Sequence, residues 1–75
     1  MAEPLVMWTV YNRPTDYPEH CVARRWEIGE GEATPTWLVI VAPDLATLRA
    51  HLGNMGLYCL PRHESDEPQI VETWL

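Results

Sequence analysis

The stretch that most constrains the fold is "WLVIVAPDLATLRAHLG", Trp37 to Gly53, because it sets a short helix directly behind the most apolar run of the chain. The run "WLVIVA" (Trp37 to Ala42) is bounded by Pro43. Its length suits a strand, and its unbroken hydrophobicity predicts one covered on both faces in the middle of a sheet. Asp44 then stands where an N-cap carboxylate can accept from free backbone N–H groups and complement the helix dipole. Leu45, Leu48 and Leu52 recur at helical spacing and form one apolar stripe, and Gly53 is the expected stop. A helix of about 8 to 10 residues does not stand alone in water, so the stripe must pack on a sheet.

The remaining strands follow from local chemistry. "LVMWTVY" (Leu5 to Tyr11) and "CVARRWEI" (Cys21 to Ile28) are rich in β-branched and aromatic residues. Between them, "NRPTDYPEH" (Asn12 to His20) reads as a loop, from its prolines, Asn and Asp. "GEGEATPT" (Gly29 to Thr36) reads as a turn longer than a tight two-residue hairpin. "LYCLPRH" (Leu57 to His63) is a short strand ended by Pro61, "ESDEP" (Glu64 to Pro68) an acidic turn, and "QIVETWL" (Gln69 to Leu75) the last strand. The expected fold is α+β and a single domain over residues 1–75: an antiparallel-rich sheet of about five strands with one helix on one face, in the order β-β-β-α-β-β.

Adjacent strand residues point to opposite faces, which splits the paired arginines. Val22, Arg24, Trp26 and Ile28 share one face; Cys21, Ala23, Arg25 and Glu27 share the other. The first set is the more apolar and is expected to face the helix, leaving Arg25 outward in a cross-strand or diagonal ion pair. Arg24 then needs a partner among apolar neighbours, either water at the sheet edge or stacking on Trp26 or Trp8 with a carboxylate such as Glu72. One helix covers only one face, so some of Tyr11, Trp37, Trp74 and their neighbours should stay exposed unless the sheet curls on itself. An exposed aromatic patch marks a partner surface or a homodimer.

Charge excludes several functions. The net charge is −6, and the five basic residues, Arg13, Arg24, Arg25, Arg49 and Arg62, are scattered. Direct nucleic-acid binding needs clustered cations, and so does docking on an anionic membrane. No segment approaches the ~20 apolar residues of a membrane span. The N-terminal "MAEPLVMWTV" lacks a basic region and a signal-length apolar run, which leads to an expected cytoplasmic location with reduced cysteines.

Catalytic motifs are weak. The only serine, Ser65, is crowded by Glu64, Asp66 and Glu67, which would repel an oxyanion. "HC" at His20 and Cys21 and "CLPRH" from Cys59 to His63 supply two Cys and two His, but without the knuckle spacing of a zinc site, so neither metal nor cofactor is expected. A Cys21–Cys59 disulfide is open geometrically; two buried thiols are the default. "GEG" at Gly29 to Gly31 carries a glutamate where a phosphate loop wants none.

The set "WTVYNRPTDYP", "VARRWEI", "VIVAPDLATLRAHL" and "IVETWL" resembles a group of small proteins of alphaproteobacteria and their phages that has no assigned activity. The resemblance spans nearly the whole chain. It implies an intracellular protein of bacterial or phage origin and carries over no catalytic residue.

The reading that results is a non-enzymatic protein-binding module, expected to form a homodimer. Its candidate interface residues are Trp8, Tyr11, Arg24, Arg25, Trp26, Trp37 and Trp74. The alternative is a phage or mobile-element inhibitor of a host nucleic-acid-binding defence system, acting through an acidic surface of Glu30, Glu32, Glu64, Asp66 and Glu67.

Overall fold

The computed structural model describes residues 5–62 and 70–75. The expected acidic turn, with Glu64, Asp66 and Glu67, lies outside the described residues, as do His63 and Gln69. Among the described residues five strands and one helix follow in the expected order: β1 (Leu5–Asn12), β2 (Cys21–Gly29), β3 (Glu32–Ala42), α1 (Leu45–Asn54), β4 (Cys59–Pro61) and β5 (Ile70–Trp74). They form one antiparallel sheet in the spatial order β3-β2-β1-β5-β4, with β1 at its centre. No described helix is long and apolar enough to cross a membrane.

The helix packs as its leucine stripe requires. Leu48 and Leu52 are fully buried against Trp8, Val10, Cys21, Ala23, Ala42 and Trp74, with Leu45 at the margin. Asp44 caps the helix by accepting from the Thr47 amide at 2.7 Å, and that hydrogen bond holds its pKa below the ordinary value. The stop falls three residues later than Gly53. Gly56 takes the left-handed conformation (φ +82°), its amide donates to the Gly53 carbonyl, and the Leu57 amide reaches back to Leu52. This is a Schellman closure, and Leu57 packs on the core that holds Leu52.

The sheet departs from expectation in three places. First, β2 and β3 are joined by a tight two-residue turn. Gly29 pairs with Glu32, and both Glu30 (φ +54°) and Gly31 (φ +81°) have the positive φ of a type I′ hairpin. β3 therefore begins at Glu32 instead of Trp37. Pro35 is tolerated inside it because β3 is an edge strand with one side free of the ladder. Second, that edge position overturns the expectation that Trp37–Ala42 runs through the middle of the sheet. The run is apolar on both sides because Ile40 and Ala42 face the helix while Val39 and Val41 pair with Arg24 and Val22 on the opposite face.

Third, the helix chooses the face of β2 that carries Cys21, Ala23, Arg25 and Glu27, not the more hydrophobic set. Side-chain volume decides. Cys21, Ala23 and Ala42 are small enough to let α1 approach β2 and β3 closely, beside Trp8 and Trp74 of the same core. Val22, Arg24, Trp26 and Ile28 lie on the far side of the sheet.

Candidate functional site

Among the described residues no helix covers the far side of the sheet. In register across it stand Leu5, Met7, Thr9 and Tyr11 of β1, Val22, Arg24, Trp26 and Ile28 of β2, and Val39 and Val41 of β3, with Thr73 and Leu60 continuing the row from Thr9 into β5 and β4. An antiparallel sheet that faces water normally carries polar residues on that side. Here the strand positions include no carboxylate, and Arg24 is the one ionised group. Trp26 donates from Nε1 to the Thr9 hydroxyl at 2.9 Å, which ties its indole to the neighbouring strand β1.

One end of this face is covered. The 13–20 loop folds back on itself through hydrogen bonds from the Arg13 amide to the His20 carbonyl and from the Tyr17 amide to the Pro14 carbonyl. Asp16 reaches Arg24 in an ion pair, and the Arg24 guanidinium sits 5.7 Å from the centroid of the Tyr11 ring. Tyr11, Val22 and Pro14 are buried at this end. Arg24 thus finds its carboxylate and aromatic in Asp16 and Tyr11, not in Glu72 and Trp26 or Trp8. Arg25, on the helix side, pairs along its own strand with Glu27 at 3.7 Å instead of across the sheet.

The described residues leave the remainder of the face open. Leu5, Val41 and Leu60 are exposed, and Met7, Trp26, Ile28 and Val39 are half-buried. At its β3 rim the ladder is broken: Arg24 pairs with Val39 and Trp26 with Pro35, so Thr36, Trp37 and Leu38 stand against Arg25 alone. A bulge of this kind strands backbone polar groups. Thr36 satisfies two of them, its hydroxyl donating to the Arg25 carbonyl at 3.0 Å and accepting from the Leu38 amide at 3.2 Å. The apex of the repaired bulge is Trp37, 100% exposed. An indole that buries none of its surface forgoes some of the largest apolar burial available to any side chain.

The other expected interface aromatics are placed differently. Trp8 (6% exposed) and Trp74 (9%) belong to the core beneath the helix, and Tyr11 lies under the loop. Glu30 and Glu32 are exposed at the β2–β3 hairpin.

The helix side holds a polar cluster that local sequence reasoning missed. Glu72, 5% exposed, accepts from Arg49 Nε at 3.1 and 3.2 Å and from Arg49 Nη2 at 2.8 Å, and Trp74 Nε1 donates to it at 2.6 Å. Burial pushes the Glu72 carboxyl up, but the hydrogen bonds from Arg49 and Trp74 outweigh it, so its pKa lies below the ordinary glutamate value. The same bonds raise the pKa of Arg49. The only available signal was the i, i+2 spacing of Glu72 and Trp74, which puts them on one strand face. Which arginine answers them depends on where the helix lands.

The cysteines are free thiols: Cys21 is buried, and its Sγ lies 3.4 Å from the Asn12 side-chain oxygen, while Cys59 is exposed. The default of two buried thiols therefore holds for Cys21 alone. Partial cover over the Cys59 thiol, and next the charge of Glu72, push its pKa up, away from the thiolate form a nucleophile needs. Among the described residues no group of three or more His, Cys, Asp or Glu is placed to hold a metal ion.

Comparison with known proteins returns no matching family model, no similar curated protein and no similar solved structure.

Proposed function

We propose that this chain is an intracellular protein-binding module without catalytic activity, and that it binds through the open face of its sheet and the Trp37 rim. The observation that carries the reading is Trp37, fully exposed on a bulge braced by the Thr36 hydroxyl, beside a sheet face that is apolar where water should favour polar residues. Tryptophan is enriched, with tyrosine and arginine, among the residues that carry most of the binding energy of protein interfaces. The rival reading, an acidic surface that blocks a nucleic-acid-binding protein, has Glu30 and Glu32 exposed together at one hairpin.

A photo-crosslinking amino acid at position 37 tests the proposal in cells, with the same group at the exposed helix position Ala46 as control. A discrete adduct from position 37 that is lost in Val41→Glu supports it. Adducts indistinguishable from those of the control refute it. Loss of the adduct on charge reversal of Glu30 and Glu32, with Val41→Glu harmless, transfers the function to the acidic hairpin.

A further inference from the structure

We infer that the occupant of the open face is a second copy of this chain, packed sheet against sheet in a weak isologous dimer. The inference rests on the protein-binding reading above and names its partner.

Charge makes the first argument. The chain carries −6, yet the strand positions of the open face hold no carboxylate and only one cation, already paired internally with Asp16. Such a face asks nothing ionic of its partner. It suits a surface that is itself apolar and neutral, and two copies of this face offer that to each other over their strand positions. Among the described residues a basic partner would find exposed carboxylates beside the strand positions of this face instead of on them, at Asp16 and Glu19 in the loop and at Glu30 and Glu32 in the hairpin.

Area makes the second. Strands spaced at about 4.8 Å with a rise of about 3.3 Å per residue give this sheet a face of roughly 500 Å² in projection, with one end under the 13–20 loop. Two such faces less their covered ends, together with two tryptophans of roughly 200 Å² each, come to an area on the order of 1,000 Å². That is the small end of specific contacts, where weak and reversible complexes lie. Facing sheets about 10 Å apart would leave the two helices on the outside, in four layers.

Analytical ultracentrifugation of the full chain across micromolar concentrations tests this, at low and at high salt, with Trp37→Ala, Val41→Glu and the helix control Ala46→Glu. The expected result is a reversible monomer–dimer equilibrium that tightens modestly with salt, because screening relieves repulsion between two acidic chains. Trp37→Ala, which removes no packing within the monomer, should weaken the dimer at least tenfold with an unchanged circular dichroism spectrum; Val41→Glu should do the same, and Ala46→Glu nothing. A dimer indifferent to Trp37→Ala and Val41→Glu overturns the inference, since it uses another surface. A monomer at every concentration also overturns it. In that case a position-37 crosslink to a different protein leaves the binding reading standing with another occupant, whereas the absence of any such crosslink removes both.

Discussion

The Glu72 cluster offers the sharpest test of how helix and sheet are held together. Arg49→Met keeps most of the side chain's apolar stem but removes three of the hydrogen bonds into a carboxylate that is almost fully enclosed. Removing one partner of a buried pair costs about 3–5 kcal/mol. The Arg49 side chain is itself 48% exposed, so water can reach its end of the pair and the expected loss falls to about 1.5–3 kcal/mol. Against a total of roughly 4–11 kcal/mol for a domain of this length, that is a large share, and it lowers the melting temperature by about 8–20 °C. The pH dependence identifies the cause. In the native protein the folded pKa of Glu72 is depressed, so its contribution is complete above the ordinary glutamate value and disappears as pH falls through the folded pKa. Without Arg49, burial is opposed only by the remaining hydrogen bonds, that from Trp74 first, and the folded pKa rises. The part of the stability that Glu72 owes to Arg49 is then missing at neutral pH, and the difference from the parent shrinks as the carboxyl is protonated on acidification. Urea unfolding followed by tryptophan fluorescence at pH 7 and pH 4 should show a wide gap between variant and parent at pH 7 and a much narrower one at pH 4. A loss under about 0.5 kcal/mol at neutral pH, or a gap independent of pH, would refute the electrostatic account of this contact.

Two further expectations concern the backbone. Gly56→Ala should destabilise by about 1 kcal/mol in chemical denaturation, because the added Cβ meets no atom within 4 Å and the cost is that of the left-handed conformation alone. Thr36→Val should cost about 1–2 kcal/mol by leaving the Arg25 carbonyl and the Leu38 amide without their hydroxyl bridge, while Thr36→Ser keeps it; amide exchange at Leu38 reports the difference directly.

The element order was legible because it depends on local chemistry. Asp44 caps, the leucines recur at helical spacing, and the β-branched and aromatic runs mark strands, all within short windows of sequence. What needed tertiary information was less visible. Counting hydrophobic residues favours the Val22–Ile28 face for the helix, but packing is decided by volume, and Cys21 and Ala23 are the residues a helix can approach. The same reversal moved Arg24 onto the open face, where its partners Tyr11 and Asp16 come from the strand end and the loop. The tight hairpin was hidden because Glu30 occupies a position that more often goes to Asn, Asp or Gly. Of the aromatics expected to be at the surface, Trp37 is there, and Trp8 and Trp74 are not, since strand alternation cannot say which face the helix takes.

The edges of the sheet bear on how an open face of this kind can be kept safe. A long, regular edge strand invites uncontrolled pairing with other chains. Here one edge, β4, spans only Cys59–Pro61 and ends in proline. The other, β3, runs from Glu32 to Ala42 but is interrupted by Pro35 and by the bulge at Thr36–Leu38. Pro35 removes a donor and the bulge breaks the repeat, so β3 presents two short, mismatched segments to any incoming strand. Pairing by backbone ladder is disfavoured at both margins, while the side-chain surface between them stays apolar. Contacts made by this sheet are thereby directed to its face, where Trp26 is fixed by Thr9 and the bulge that blunts the edge also carries Trp37 outward.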